Sequence, residues 1–167
     1  RGVVTALGWT LAGKRSVYTF EGIIISSAAT LTWLRDQLGL VADVGQLARM
    51  AAEVEDSGGV YFVPAFSGLG LPHWRPDTRA AIVGLSSHSD RRHIARAAFE
   101  AIAYQLRDAL DLMRVEAGLE LNVLHADGGP ADNAQLMQII ADITHTELRV
   151  SRSPGGSPWG AACAGML

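Results

Sequence analysis

With 167 residues, 49% hydrophobic and 19% charged, the chain has the balance of one folded domain with a sizeable core, which excludes a disordered tail. A formal net charge of −3 with scattered arginines gives no electrostatic footprint for a phosphate backbone, so no nucleic-acid partner is expected. The single cysteine, Cys163, excludes an internal disulfide and a paired-cysteine metal site and fits the reducing cytoplasm. The apolar run at 22–34 is broken by Ser26, Ser27, Thr30 and Thr32, short of the roughly 20 residues that cross a bilayer, so no membrane partner is expected.

Residues 3–9 (VVTALGW) and 16–20 (SVYTF) are β-rich and separated by Gly13 and Lys14, which predicts a hairpin. From 21 to 38 the pattern turns helical, with Ile25, Ala29 and Trp33 at i+4 spacing and Gly39 as the C-cap. A second helix is predicted over 44–55, and DSGG then turns the chain into the short buried strand VYFVPAF. Gly68, Gly70, Pro72 and Pro76 punctuate 67–80 without periodicity, so this stretch is a loop, followed by a strand at 80–84. Ser89 or Asp90 caps a helix running to 117, with Ile94, Ala98, Ile102, Leu106 and Met113 as its buried stripe and a length of roughly 40 Å. After Gly118 come a strand (LNVLHA), a glycine corner, a helix over 131–145, a strand (ELRVS), the loop RSPGGSP and a final small-residue helix. Strand and helix alternating at that spacing predict a parallel pair with a right-handed crossover and an α/β class. A first residue that is not methionine, and a terminal AACAGML that reads as a helix without a stop, suggest a piece of a longer chain.

The corner HADGGPADNAQLMQ, 125–138, holds the chemistry. A glycine pair costs entropy to order, so it implies a positive φ or something approaching too closely for a side chain. A glycine turn from a strand end into a helix presents free N–H groups and a positive helix end, both suited to phosphate or ribose oxygens. Asp127 falls at the strand's carboxyl end, where α/β folds place ligands. The alternative is a plain β-to-α turn with Asp127 capping the helix. Asn133, four residues past Gly129, projects its amide back toward the corner or is an ordinary polar surface residue. The spacing matches neither a P-loop nor a dinucleotide fingerprint.

The run DGGPADNAQLMQIIAD resembles the adenosine motif of the FGGY family of carbohydrate kinases, which belong to the actin, hexokinase and Hsp70 superfamily. The stretch AAIVGLSSHSDRRHIARAAFE, 80–100, fits that family's second signature throughout. GVYFVPAFSGLGLPHWRPDTRA, EAIAYQLRDALDLM and FEGIIISSAATLTWLRDQLGL are most similar to its members that act on glycerol, and SPWGAACAG is similar to its TALGAA hinge helix.

The resemblance implies that residues 1–167 are most of the nucleotide-binding, C-terminal half of such a kinase, truncated at both ends and without the N-terminal half: a ribonuclease-H-like domain with a mixed sheet flanked by helices. The other half would bind most of the sugar or polyol. Carried over, Gly129 lies against the nucleotide, Asn133 near its base, and Gly128 gives the turn. Ala28 and Thr32 stand in the same pocket, where glycerol-acting members usually have glycine and glutamine, and Pro158 and Trp159 replace smaller hinge residues beside Gly160. The implied cofactors are ATP with Mg²⁺ in the intact enzyme. The family's DxGTT phosphate loop, aspartate base and Gly-Thr-Gly turn do not occur here, so this chain supplies no catalytic residue and should be inactive alone. Two further readings stay open: a relative acting on xylulose or a similar sugar, and a non-catalytic, degenerate relative.

The remaining polar residues add no second site. Of His73, His88, His93, His125 and His145 only His88 and His93 are near in sequence, at the wrong helical spacing for joint metal ligation. No GxSxG elbow exists for a hydrolase triad. Glu100, Arg107, Asp108 and Arg114 suit i,i+4 ion pairing such as Arg96 with Glu100. The Pro72-His73-Trp74 loop packs on its own tryptophan or contacts the other half or a second subunit of a homo-oligomer. The small residues of GAACAG suit a hinge or simple tight packing.

Overall fold

The computed structural model describes residues 2–118, 120–151 and 156–165. Part of the loop expected at 152–158, and the last two residues of the final helix, lie outside them.

The chain is mixed α/β. Strands β1 (Val4–Trp9) and β2 (Val17–Glu21) form the expected antiparallel hairpin, with Val4 opposite Glu21 and a register shift between Leu7 and Trp9. Its Leu7, Tyr18 and Phe20 side chains are exposed. Helices α1 (Ala29–Asp36) and α2 (Val44–Ala52) follow, then β3 (Tyr61–Val63) paired antiparallel with β4 (Ala81–Val83), with the predicted loop between them. Helix α3 (Arg91–Ala117) leads to β5 (Val123–Ala126), a 3₁₀ turn (Gly129–Asp132), α4 (Ala134–Thr144), β6 (Glu147–Val150) and α5 (Gly156–Ala164). β5 and β6 are parallel, Val123 opposite Glu147, as the strand-helix-strand spacing requires.

Helix α3 is the hub. Asp90 caps it: Oδ1 accepts from the Arg92 N–H at 2.8 Å, and His93 Nδ1 accepts from the Asp90 N–H at 3.2 Å, closing a reciprocal box. Gly118, left-handed at φ 61°, ends it. Its apolar face carries Phe99, Ala98 and Ile102 into a core shared with Leu34 of α1, Leu47 of α2, Val60 and Phe62 around β3, and Leu136 and Ile140 of α4. Of the expected stripe, Ala98 and Ile102 are buried, while Ile94, Leu106 and Met113 are half-buried. Glu100, 7% exposed, is neutralised by Arg96 at 2.7 Å.

Three expectations change. The first helix starts at Ala29, not 21, so Ile25 lies off the helix and is exposed. Residues 22–28 are claimed instead by the loop: the Leu71 N–H donates to the Ile23 carbonyl at 3.2 Å, and a Cβ on Gly70 would lie 2.3 Å from that oxygen. The helix after the corner starts at Ala134, not 131, because Gly129–Asp132, with Pro130 in its first turn, forms a 3₁₀ turn and Asn133 is extended (φ −87°, ψ 97°). The described strands form three two-stranded sheets in place of one mixed sheet. Of these, β3 packs on α3, while β6 packs on α4; Gly22, after the hairpin, stands beside Ala109 and Met113 of α3, and Arg114 of α3 reaches Thr146 just before β6. Among the described residues no helix is long and apolar enough to cross a membrane.

Candidate functional site

β5 delivers Asp127 at its carboxyl end, and the chain turns at Gly128 with φ 93° and ψ 169°, a conformation open essentially to glycine alone. The Ala131 N–H donates to the Gly128 carbonyl at 2.9 Å, and the Asn133 N–H to that of Pro130 at 3.2 Å, which fixes the 3₁₀ turn. Buried Ala131 anchors the turn from beneath, while Gly128 and Gly129 are exposed. A Cβ built on either glycine would meet nothing within 4 Å. The corner is a bare, open backbone shelf, with its underside packed and its upper side free.

Asn133 is the N-cap of α4: its Oδ1 accepts from the Leu136 N–H at 3.0 Å. The cap fixes the side chain at the edge of the shelf and leaves Nδ2 without a partner among the described residues. Asp127 is therefore not the cap of α4. Its Oδ1 accepts from the Gly128 N–H at 2.8 Å and its Oδ2 from the Gly156 N–H at 2.9 Å, at the start of α5. Sequence reading misses this second contact. An acidic strand end and a glycine opening the last helix are its only traces, 29 residues apart.

Ala28 and Thr32 lie on a different element. Ala28 is the N-cap of α1 and offers no side-chain cap; its carbonyl accepts from the Leu31 and Thr32 N–H groups at 3.0 and 3.4 Å. Thr32, one turn on, is exposed, while its neighbour Trp33 turns inward onto Phe66 at 4.9 Å between ring centroids. Thr30, wholly buried between them, has an Oγ1 with no hydrogen-bond partner among the described residues. One turn thus brings Gly128, Gly129 and Asn133 together. Ala28 and Thr32 share a face of α1, and no hydrogen bond links the two groups among the described residues.

The far end of α4 is tied to α3. Arg107 of α3 donates through Nε to Asp111 at 2.7 Å and through Nη1 to the Ile143 carbonyl at 2.8 Å, in the last turn of α4. Arg114 donates to Asp111 at 2.8 Å and to Thr146 Oγ1 at 3.1 Å, just before β6. Burial pushes the Asp111 carboxyl up, but the hydrogen bonds from Arg107 and Arg114 outweigh it and hold the group below its usual range. These arginines tie α3 to the end of α4 and the start of β6. His93 serves the α3 cap, and among the described residues no three histidine, cysteine or carboxylate side chains are grouped to hold a metal ion.

Comparison with known proteins identifies the family. The chain is 44% identical over 166 residues to a glycerol kinase of Corynebacterium kroppenstedtii, covering 99% of this chain and 32% of that protein. It is 52% identical over 132 residues to a glycerol kinase of Shewanella sediminis, covering 79% and 27%. The crystal structure of Plasmodium falciparum glycerol kinase with ADP superposes with a TM-score of 0.88 at 36% identity, covering 96% of this chain and 32% of that one. The chain thus spans about a third of the length of the relatives it matches. Residues 2–167 match the model of the C-terminal domain of one family, and on that match the chain belongs to the FGGY family of carbohydrate kinases.

Proposed function

We propose that this chain is the nucleotide-holding half, ribonuclease-H-like in topology, of a cytoplasmic kinase that transfers the γ-phosphate of ATP to glycerol. The observation that carries the reading is the open shelf at Gly128 and Gly129, at the carboxyl end of a parallel strand, where the missing Cβ atoms leave room for a flat ligand. A glycerol kinase with ADP is among the structures this chain is similar to, which supports a nucleotide as the ligand. In this reading Gly129 lies against the nucleoside, the free Nδ2 of Asn133 donates to its base, and Ala28 and Thr32 form the facing wall. Mg²⁺ is carried on the nucleotide's phosphates. The polyol and the base that takes its proton are supplied by the rest of the protein, so the 167 residues alone turn over nothing.

The test is calorimetric titration of ATP with Mg²⁺ into the full-length protein and its Gly129→Ala variant. A methyl at a close-packed wall costs about 1–3 kcal/mol, so the variant should bind about tenfold or more weakly while folding normally. Heat-silent mixing of the unmodified protein at millimolar nucleotide would instead identify a non-catalytic relative. A panel of polyols and pentuloses reads the substrate: turnover confined to pentuloses would overturn the glycerol assignment.

A further inference from the structure

Asp127 is exposed, yet both of its carboxylate oxygens are engaged, by two distant parts of the chain. Oδ1 accepts from the N–H of Gly128, its own neighbour, at 2.8 Å; Oδ2 accepts from the N–H of Gly156 at 2.9 Å. The first contact is ordinary turn chemistry. The second is not needed for the turn, because an aspartate bonded only to Gly128 would already satisfy it.

Gly156 is the first residue of α5, where a helix leaves its N–H groups unpaired and its dipole favours a negative charge. The absence of a side chain at Gly156 is part of the fit, since a Cβ there would lie 2.4 Å from Asp127 Oδ2. Every described side chain in α5 is exposed, Trp159 and Cys163 included, and among the described residues Asp127–Gly156 is the one hydrogen bond that joins α5 to the remainder.

We propose that Asp127 is a positioning residue: it fastens the start of α5 to the glycine corner, so that a shift of α5 is felt at the backbone that receives the nucleotide. The inference rests on the nucleotide reading given above. Asp127 touches the nucleotide in no step of it. It acts through Gly128, whose N–H it holds on one oxygen, and through α5, whose first N–H it holds on the other.

Two substitutions in the full-length protein break the same contact from opposite sides. Asp127→Asn keeps an oxygen for the Gly128 N–H but turns an NH₂ toward Gly156, which cannot accept. Gly156→Ala places a methyl where the carboxylate oxygen sits. Both positions are exposed, and thermal unfolding verifies that each variant folds. Each single substitution should raise KM for ATP about five- to tenfold, the equivalent of one charge-assisted hydrogen bond near the surface, with kcat and KM for the polyol within about twofold. The double variant should be no worse than either single one, because only one contact is there to lose. If either single variant keeps its KM for ATP, or if the two losses multiply in the double variant and so act independently, the Asp127–Gly156 contact does not carry the effect and the inference fails. A full-length protein that binds no ATP before any substitution overturns the nucleotide reading itself, an outcome separate from the other two.

Discussion

Arg107, near the middle of α3, donates from Nη1 to the carbonyl oxygen of Ile143, 2.8 Å away in the last turn of α4. A cation at that point satisfies a carbonyl the helix cannot pair and complements the negative end of its dipole. Since α4 begins at the glycine corner, this bond fixes the far end of the element that carries Asn133.

Replacing Arg107 with methionine keeps most of the packing and removes the donors. Its side chain is 35% exposed, so the loss should fall at the low end for a charged hydrogen bond, about 1–2 kcal/mol. Urea unfolding followed by circular dichroism measures it, and an unchanged midpoint would show that the bond contributes nothing. Lysine, with a point charge in place of the fork, should recover only part.

Gly128→Ala should destabilise by about 1–3 kcal/mol although the space beside it is empty, because the cost is backbone strain at φ 93°. Gly129→Ala, without a positive φ and equally unobstructed, should leave the unfolding midpoint nearly unchanged. A pair of denaturation curves checks the contrast, and equal midpoints for the two variants would contradict it.

Hydrogen bonds from the Arg92 side chain, opposed by burial and aided by the Arg92 N–H and His93, hold the Asp90 carboxyl well below its ordinary value. A depressed folded-state pKa gives stability that is complete above the unfolded value, about 3.9, and that is lost as pH falls through the folded value. Acid therefore weakens the α3 cap only below about pH 4. Asp90→Asn retains a capping oxygen without the charge, so its stability should show a shallower acid limb than the parent. Unfolding midpoints measured between neutral and strongly acid pH test this, and parallel limbs would refute it.

Phe99, fully buried where α3 meets the core, should cost about 3–5 kcal/mol on replacement by alanine, whereas Tyr104 on the outer side of the same helix should cost far less. Their thermal midpoints give the ratio.

The sequence revealed those parts whose signals are local. Both ends of α3 were legible from Asp90 and Gly118, and the strand, corner, helix and strand after it from the glycine pair and the spacing. The start of α1 was not legible, because Ile23, Ile24 and Ile25 suit a helix or an extended chain equally, and the choice is made by Leu71 and Gly70 far along the sequence. The start of α4 was displaced by Pro130, whose ring fits a first turn of either helix type. The turn that holds Gly128, Gly129 and Asn133 was readable because its signals lie within six residues. The second contact of Asp127 was not, since nothing in either residue type announces a partner so far away.

Helix α3 threads the core while the described side chains of α5 are exposed, so the two ends of the stability range occupy one small chain. Backbone amides of α3 around Phe99 are released to solvent only when the whole core opens, whereas those of α5, whose described side chains are exposed, open by local fraying. Deuterium uptake should therefore divide the chain into a slow spine and a fast flap. The flap is joined to the spine beside the glycine shelf, which makes that junction the place where a ligand can quieten one without disturbing the other.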